Sequence, residues 1–386
     1  MNTDFLRGVS IVGIGQIPVM RQNPEPLKDM GARVARMAME DAGVDRVDAL
    51  FAGNMLADEL QNQKQIAALI ASECGLRGIE ALHVRAATAT GAAALRMAYF
   101  AVASGEARLA MAVGVEKMSG GLVTPVLAKA LDARSETDAG HTLLSQNAAL
   151  MQLYMDRHAV DVNAFNPFAV IAHHNARTNP YAIFKDKRVS DRTVRASRVI
   201  FPPLRLFDAS PVCDGAAAVV LARTEEARAY SDNPVRLLGS SVATDWFRVA
   251  DREDPLELFA AAKSAYDAFR KSNVNRNDVS LFEAHDAFSI MVCLQLEAAG
   301  FAEPGEGWRM AKEGRIKLKG DLPLTTFGGL KARGHPIGAT ALYQTCEIVL
   351  QLTDRAGRNQ VRDARIAMLQ SIGGVGSTVI THVFGV

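Results

Sequence analysis

Apolar runs and helical spacing alternate at both ends of this chain, while the middle has a different texture. Residues 9–14 form a short β-branched run ending in glycines, which predicts a buried strand. Residues 27–42 place Met30, Val34, Met37 and Ala38 at helical spacing and stop at Gly43. Strands are predicted at 48–51 and 109–115, with an alanine-rich helix at 91–103 between them. The last 150 or so residues follow the same grammar. Strands are predicted at 235–240, 279–282, 365–370 and 377–384, and helices at 256–269 and 339–352.

The repetition reaches single residues. Val44-Asp45-Arg46 and Ala49-Leu50-Phe51 resemble Val274-Asn275-Arg276 and Ser280-Leu281-Phe282 in the same order. Thr90-Gly91-Ala92-Ala93-Ala94-Leu95 resembles Ile337-Gly338-Ala339-Thr340-Ala341-Leu342 at the head of a small-residue helix. Such matches argue for a duplicated α/β unit, with two close-packed central helices between two sheets. The expected division is 1–116 with about 205–232 as the first half and 233–386 as the second. Between them lies an inserted loop domain, 117–204. That stretch carries Pro125, Pro167, Pro180, Pro202 and Pro203 among helical pieces such as 142–155. Turn-rich inserts of this kind either contact substrate or serve as a lid or dimer contact.

Composition narrows the class. The 386 residues carry 43 Lys plus Arg against 42 Asp plus Glu, and no basic stripe, so nucleic acid is not an expected partner. No run approaches 18 apolar residues, so no membrane span is expected, and the opening residues lack the pattern of a secretory leader. Cys74, Cys213, Cys293 and Cys346 are scattered without a C-x-x-C pair. Neither a metal site nor a disulfide framework is expected, and a cytoplasmic location is.

Three strings carry candidate chemistry. In residues 328–340, GGLKARGHPIGAT, glycines permit close backbone approach beside His335, an acid–base group suited to neutral pH. In 283–289, EAHDAFS, His285 lies at the carboxyl end of a predicted strand, where α/β proteins collect ligands. In 371–376, SIGGVG, a glycine turn offers backbone N–H groups to an oxyanion.

With these strings in view, the chain resembles the thiolase superfamily nearly end to end. It is most similar to the branch of sterol-carrier-protein-type thiolases and archaeal acetyl-CoA acetyltransferases. Further family-like strings run through 94–120 and 203–221. The resemblance implies the thiolase fold, a duplicated five-layer α/β/α/β/α core with an inserted loop domain. It implies acyl-CoA substrates, with coenzyme A as substrate or product and no permanently bound cofactor, in C–C bond chemistry beside a carbonyl. By position, His335 matches the histidine that activates the nucleophile and helps hold the thioester oxygen. His285 matches a contributor to the first oxyanion hole, and the Gly374 N–H a contributor to the second. Lys331 and Arg333 are candidate contacts for coenzyme A, the alternative being a solvated basic loop. A homodimer or tetramer is implied, as is a small OB-fold, zinc-ribbon partner protein.

The departure from the pattern is at the nucleophile. Thr88 falls where the family carries its cysteine, and Ala287 and Ser371 fall where its branches carry a second one. A threonine hydroxyl is far less acidic than a thiol and needs a strong base to attack. Three readings follow. One is an enzyme acting on acyl-CoA C–C bonds with non-standard chemistry, including cysteine-independent aldolase or decarboxylase action. In that case His335, or secondarily Tyr343, moves the proton. The second is a silent acyl-CoA-binding subunit of a complex, and the third is Thr88 as a true nucleophile.

Overall fold

The computed structural model describes residues 8–386. The expectation about a leader falls partly on residues 1–7, outside the described residues. Nine strands form one ladder in the order β3-β2-β4-β7-β1-β8-β11-β10-β9. They are β1 (Val9–Gln16), β2 (Ala49–Gly53), β3 (Glu80–Val84), β4 (Leu109–Glu116), β7 (Gly215–Arg223), β8 (Val235–Thr244), β9 (Leu281–Glu283), β10 (Ile366–Gly373) and β11 (Thr378–Gly385). A separate hairpin of β5 (Val199–Phe201) and β6 (Leu204–Arg205) lies in the insert.

The duplication expected from the repeated strings is visible in the ladder. In the first half β2 runs parallel to β4, and β4–β7 and β7–β1 are antiparallel. In the second, β9 runs parallel to β10, and β10–β11 and β11–β8 are antiparallel. Two sheets were expected. The two half-sheets are instead joined where β1 meets β8, through only two residue pairs, Ser10–Arg236 and Ile11–Val235.

Helix Thr90–Ser104 packs on β2, β4 and β7 and reaches β11, while helix Ile337–Leu352 packs on β4, β7 and β10. The two also pack on each other, so they form the middle layer. Helices Leu27–Asp41 and Phe259–Ser272 cover the outer faces of the first and second half-sheets. Glycine makes the central crossing close: a Cβ on Gly338 would lie 2.6 Å from Gly53 O, and one on Gly91 2.8 Å from Gly338 O. The buried Glu116 carboxylate then accepts from Met55 N, Leu56 N and Gly338 N. It ties the head of the second central helix to the first half, at a site where burial pushes the Glu116 carboxyl up to about 7.

Most predicted elements fall within three residues of those observed. The strand predicted at 235–240 runs on to Thr244, and the helix predicted at 256–269 begins three residues late, at Phe259. Pro255 precedes, and the Asp254 carboxylate accepts from Leu256 N at 2.9 Å, so buried Leu256 and Leu258 sit in a turn before the helix. In the insert, helix Leu143–His158 starts on a reciprocal Thr142–Ser145 capping box.

Candidate active site

Strand β9 ends at Glu283, and its chain continues directly into His285 and Asp286. Gln295 grips this turn from the next helix, accepting from His285 N and donating to His285 O, both at 2.9 Å. Asp286 turns the other way, into the glycine-rich loop, where its carboxylate accepts from Leu330 N at 2.6 Å. Gly329 permits this contact. It has φ +55°, and a Cβ there would lie 2.4 Å from Asp286 Oδ1. Gln344 on the second central helix donates to Ala284 O at 2.8 Å. The two histidine-bearing segments, distant in sequence, are thus strapped together by side chains that do not line the cavity the histidines face.

The result is a pair of imidazoles packed edge to face, with ring centroids 5.1 Å apart. Both are buried. Burial pushes the His285 pKa down to about 3. It also pushes His335 well below the usual histidine range, helped by neighbouring His285 and Arg333. Both rings are therefore neutral at pH 7, able to accept or donate a hydrogen bond without carrying charge. His335 Nδ1 lies 2.7 Å from Thr340 Oγ1, and His335 N donates to Cys213 Sγ at 3.1 Å.

Thr88, His285, His335 and Gly374 all line one cavity of about 150 Å³. Its remaining wall is largely apolar, with Leu127, Leu143 and Leu144 from the insert and Phe288 and Met291 from the second half. Ser210 and Asn147 add polar groups that the sequence did not single out. Thr88 sits just before the first central helix, and its hydroxyl donates to Ile372 O at 2.6 Å. None of the four cysteines lines this cavity. The nearest in contact, Cys213, is fully buried, and its thiol is pushed up to about 12.

The other candidates lie elsewhere. Lys331 and Arg333 do not line the cavity, and both are in the interior rather than on a solvated loop. Lys331 Nζ donates to Asp208 O at 2.5 Å, and burial lowers its pKa to about 8. Arg333 pairs with Glu347 at 2.9 Å and stacks over the Tyr343 ring, 4.8 Å from its centroid. Tyr343 donates to Ile17 O at 2.6 Å and accepts from Ala216 N at 3.0 Å, so its hydroxyl is occupied in the core. Ala287 lines the cavity, and Ser371 is buried in β10. Glu347, the one charged residue in a helix of apolar and neutral polar residues, was the available signal that Arg333 turns inward.

A duplicated α/β scaffold holding a neutral histidine pair over a small apolar cavity defines a class, and comparison with known proteins names it. Residues 9–225 match the family model "Thiolase, N-terminal domain" and residues 241–386 match "Thiolase C-terminal domain-like". The chain belongs to the thiolase family. It is 39% identical to the acetyl-CoA acetyltransferase of Methanothermobacter thermautotrophicus, over 98% of this chain and all of that one. It is 29% identical to human sterol carrier protein 2, over 97% of this chain and 72% of that protein. Among solved structures, "Ltp2-ChsH2(DUF35) aldolase" superimposes with a TM-score of 0.86 at 22% identity, covering 99% of this chain and 98% of that one. Human mitochondrial 3-ketoacyl-CoA thiolase superimposes at 0.73 with 17% identity, covering 99% of each. These last two matches establish the fold. Among the described residues no helix is long and apolar enough to cross a membrane.

Proposed function

We propose that this chain works on acyl-CoA thioesters at the C–C bond beside the carbonyl, through an enolate and without an acyl-enzyme. The reaction is then aldol addition or its reverse. The observation that carries this reading is the Thr88 hydroxyl. It lines the same cavity as both imidazoles, yet its proton goes to the Ile372 carbonyl at 2.6 Å. A hydroxyl needs a base to become a nucleophile, and a backbone carbonyl held by a short hydrogen bond is no base.

In the cleaving direction His335 takes the proton of a β-hydroxyl. The O–H electrons become the new C=O, the Cα–Cβ pair passes to the thioester as an enolate, and an aldehyde or ketone departs. The enolate then takes the proton back from His335 at Cα, giving the shortened acyl-CoA. His285 and the Gly374 N–H hold the enolate oxygen, where fixed donors in a dry site stabilise developing charge most. A cavity of about 150 Å³ suits a short acyl group, since a void of that size holds roughly a benzene ring.

The sequence relatives named acetyl-CoA acetyltransferase support the acyl-CoA substrate. The fold neighbour, an aldolase complexed with a DUF35 protein, supports the lyase chemistry and a small DUF35-type partner for this chain as well. A homodimer or larger assembly in a reducing cytoplasm completes the reading. The test is deuterium wash-in at Cα of acetyl-CoA in D2O, read by mass spectrometry beside the intact mass of the protein. Wild type is expected to exchange and to stay unacylated, and His335→Gln to lose exchange. An acyl adduct that disappears in Thr88→Val would sink the reading.

A further inference from the structure

The His335 ring has a partner that the proposed chemistry has not yet used. Thr340 Oγ1 lies 2.7 Å from His335 Nδ1 and 3.3 Å from Pro336 O, to which it is positioned to donate. A hydroxyl has one proton. If that proton goes to Pro336 O, the oxygen must accept from Nδ1, so both contacts are hydrogen bonds only when Nδ1 carries the proton. Nε2 of His335 is then a bare lone pair serving the cavity.

His285 is held differently. Its Nδ1 is buried with no hydrogen-bond partner among the described residues. An orphaned N–H costs more than an orphaned lone pair, because an acceptor is more readily left under-satisfied than a donor. The proton of His285 therefore belongs on Nε2.

We infer that Thr340 is a positioning residue that fixes His335 as the Nδ1–H tautomer, so the two imidazoles present opposite chemistry, a proton acceptor from His335 and a donor from His285. Thr340 also fits the next state. When Nε2 gains a proton, Nδ1–H still donates to Oγ1 and Oγ1–H to Pro336 O, so the imidazolium forms without any group turning. This gives a role to the fully buried threonine at position 340 in the first turn of the second central helix. Its catalytic consequence rests on the enolate reading above, but the tautomers do not.

The experiment is a long-range 1H–15N spectrum of ring-labelled histidines in the intact protein, with His335 and His285 assigned by His335→Gln and His285→Gln. Expected are Nδ1–H for His335 and Nε2–H for His285, in wild type and in Thr340→Ser. In Thr340→Val, His335 is expected to move toward Nε2–H. An Nε2–H His335 in wild type, or a Thr340→Val spectrum unchanged from wild type, overturns the inference. Should Thr340→Val fail to fold, wild type and Thr340→Ser still decide it. The second readout is α-proton exchange on acetyl-CoA. The exchange rate is expected to fall about tenfold or more in Thr340→Val at unchanged KM and to be restored by serine. Wild type that exchanges nothing would defeat the proposed function while the spectrum still judged the tautomers.

Discussion

The two central helices begin alike and present different groups to the same cavity. Thr90–Ser104 and Ile337–Leu352 each open on a small-residue turn with a glycine in second place, and those glycines meet at the crossing. Two residues ahead of each helix stands the group that faces the cavity, Thr88 in one case and His335 in the other. His335 keeps a hydrogen-bonded partner on its own helix, whereas Thr88 gives its proton to a carbonyl of β10. The fit between the helices depends on backbone and glycine. It survives whatever residue precedes the helix, so chemistry can be lost from one head without loss of the fold. That separation is the main lesson of the pair.

The comparison breaks first at His335. His335→Gln is expected to lower α-proton exchange by about 10²–10⁴-fold, while Thr88→Val stays close to wild type. Equal losses in both would mean that the heads share the work. The shared packing is tested next by Gly338→Ala, whose methyl would press on backbone at Gly53 O, 2.6 Å away, and Asn54 Cα, 2.8 Å away. A loss of about 3 kcal/mol in urea unfolding is expected, the upper range for overpacking.

A smaller effect should come from His382, which lies under the first helix with Nε2 donating to Ala92 O at 3.1 Å. Burial lowers its pKa from 6.5 to about 3, so the unfolded chain takes up the proton first. Its stabilising contribution is complete above pH 6.5 and is lost as pH falls toward 3. The stability gap between wild type and His382→Asn should therefore shrink by about 2 kcal/mol from pH 6.5 to 5, at roughly 1.4 kcal/mol per unit. A gap constant with pH would show that His382 takes up its proton as readily in the fold as in the unfolded chain. Thr88→Val should cost least, about 1 kcal/mol for one hydrogen bond.

Much of this was legible in the chain. Buried strands and helices announced themselves by period, and the repeated strings foretold a duplication that the ladder carries out strand by strand. The GHP string pointed to His335 because a glycine-rich basic turn around a histidine makes little sense as core, and His285 stood out at the carboxyl end of a predicted strand. What escaped was whatever depends on long-range direction. A basic loop reads the same whether Lys331 and Arg333 face water or Asp208 and Glu347, and only folding reveals which. Thr340, Gln295 and Asp286 escaped because their work is to hold other residues, and nothing local in a sequence marks a brace. The β1–β8 joint escaped because two residue pairs leave no periodic trace.

That joint has a consequence of its own. With so little main-chain pairing across it, the halves cohere through the interlocked middle layer and through the insert, whose core runs on into that of the second half, as two subunits of an oligomer would. The molecule is in mechanical terms a dimer written as one polypeptide. A cut within residues 224–234, the partly exposed link from β7 to β8, would sever the writing and leave the fit, so two separately made fragments should find each other and rebuild the cavity between them.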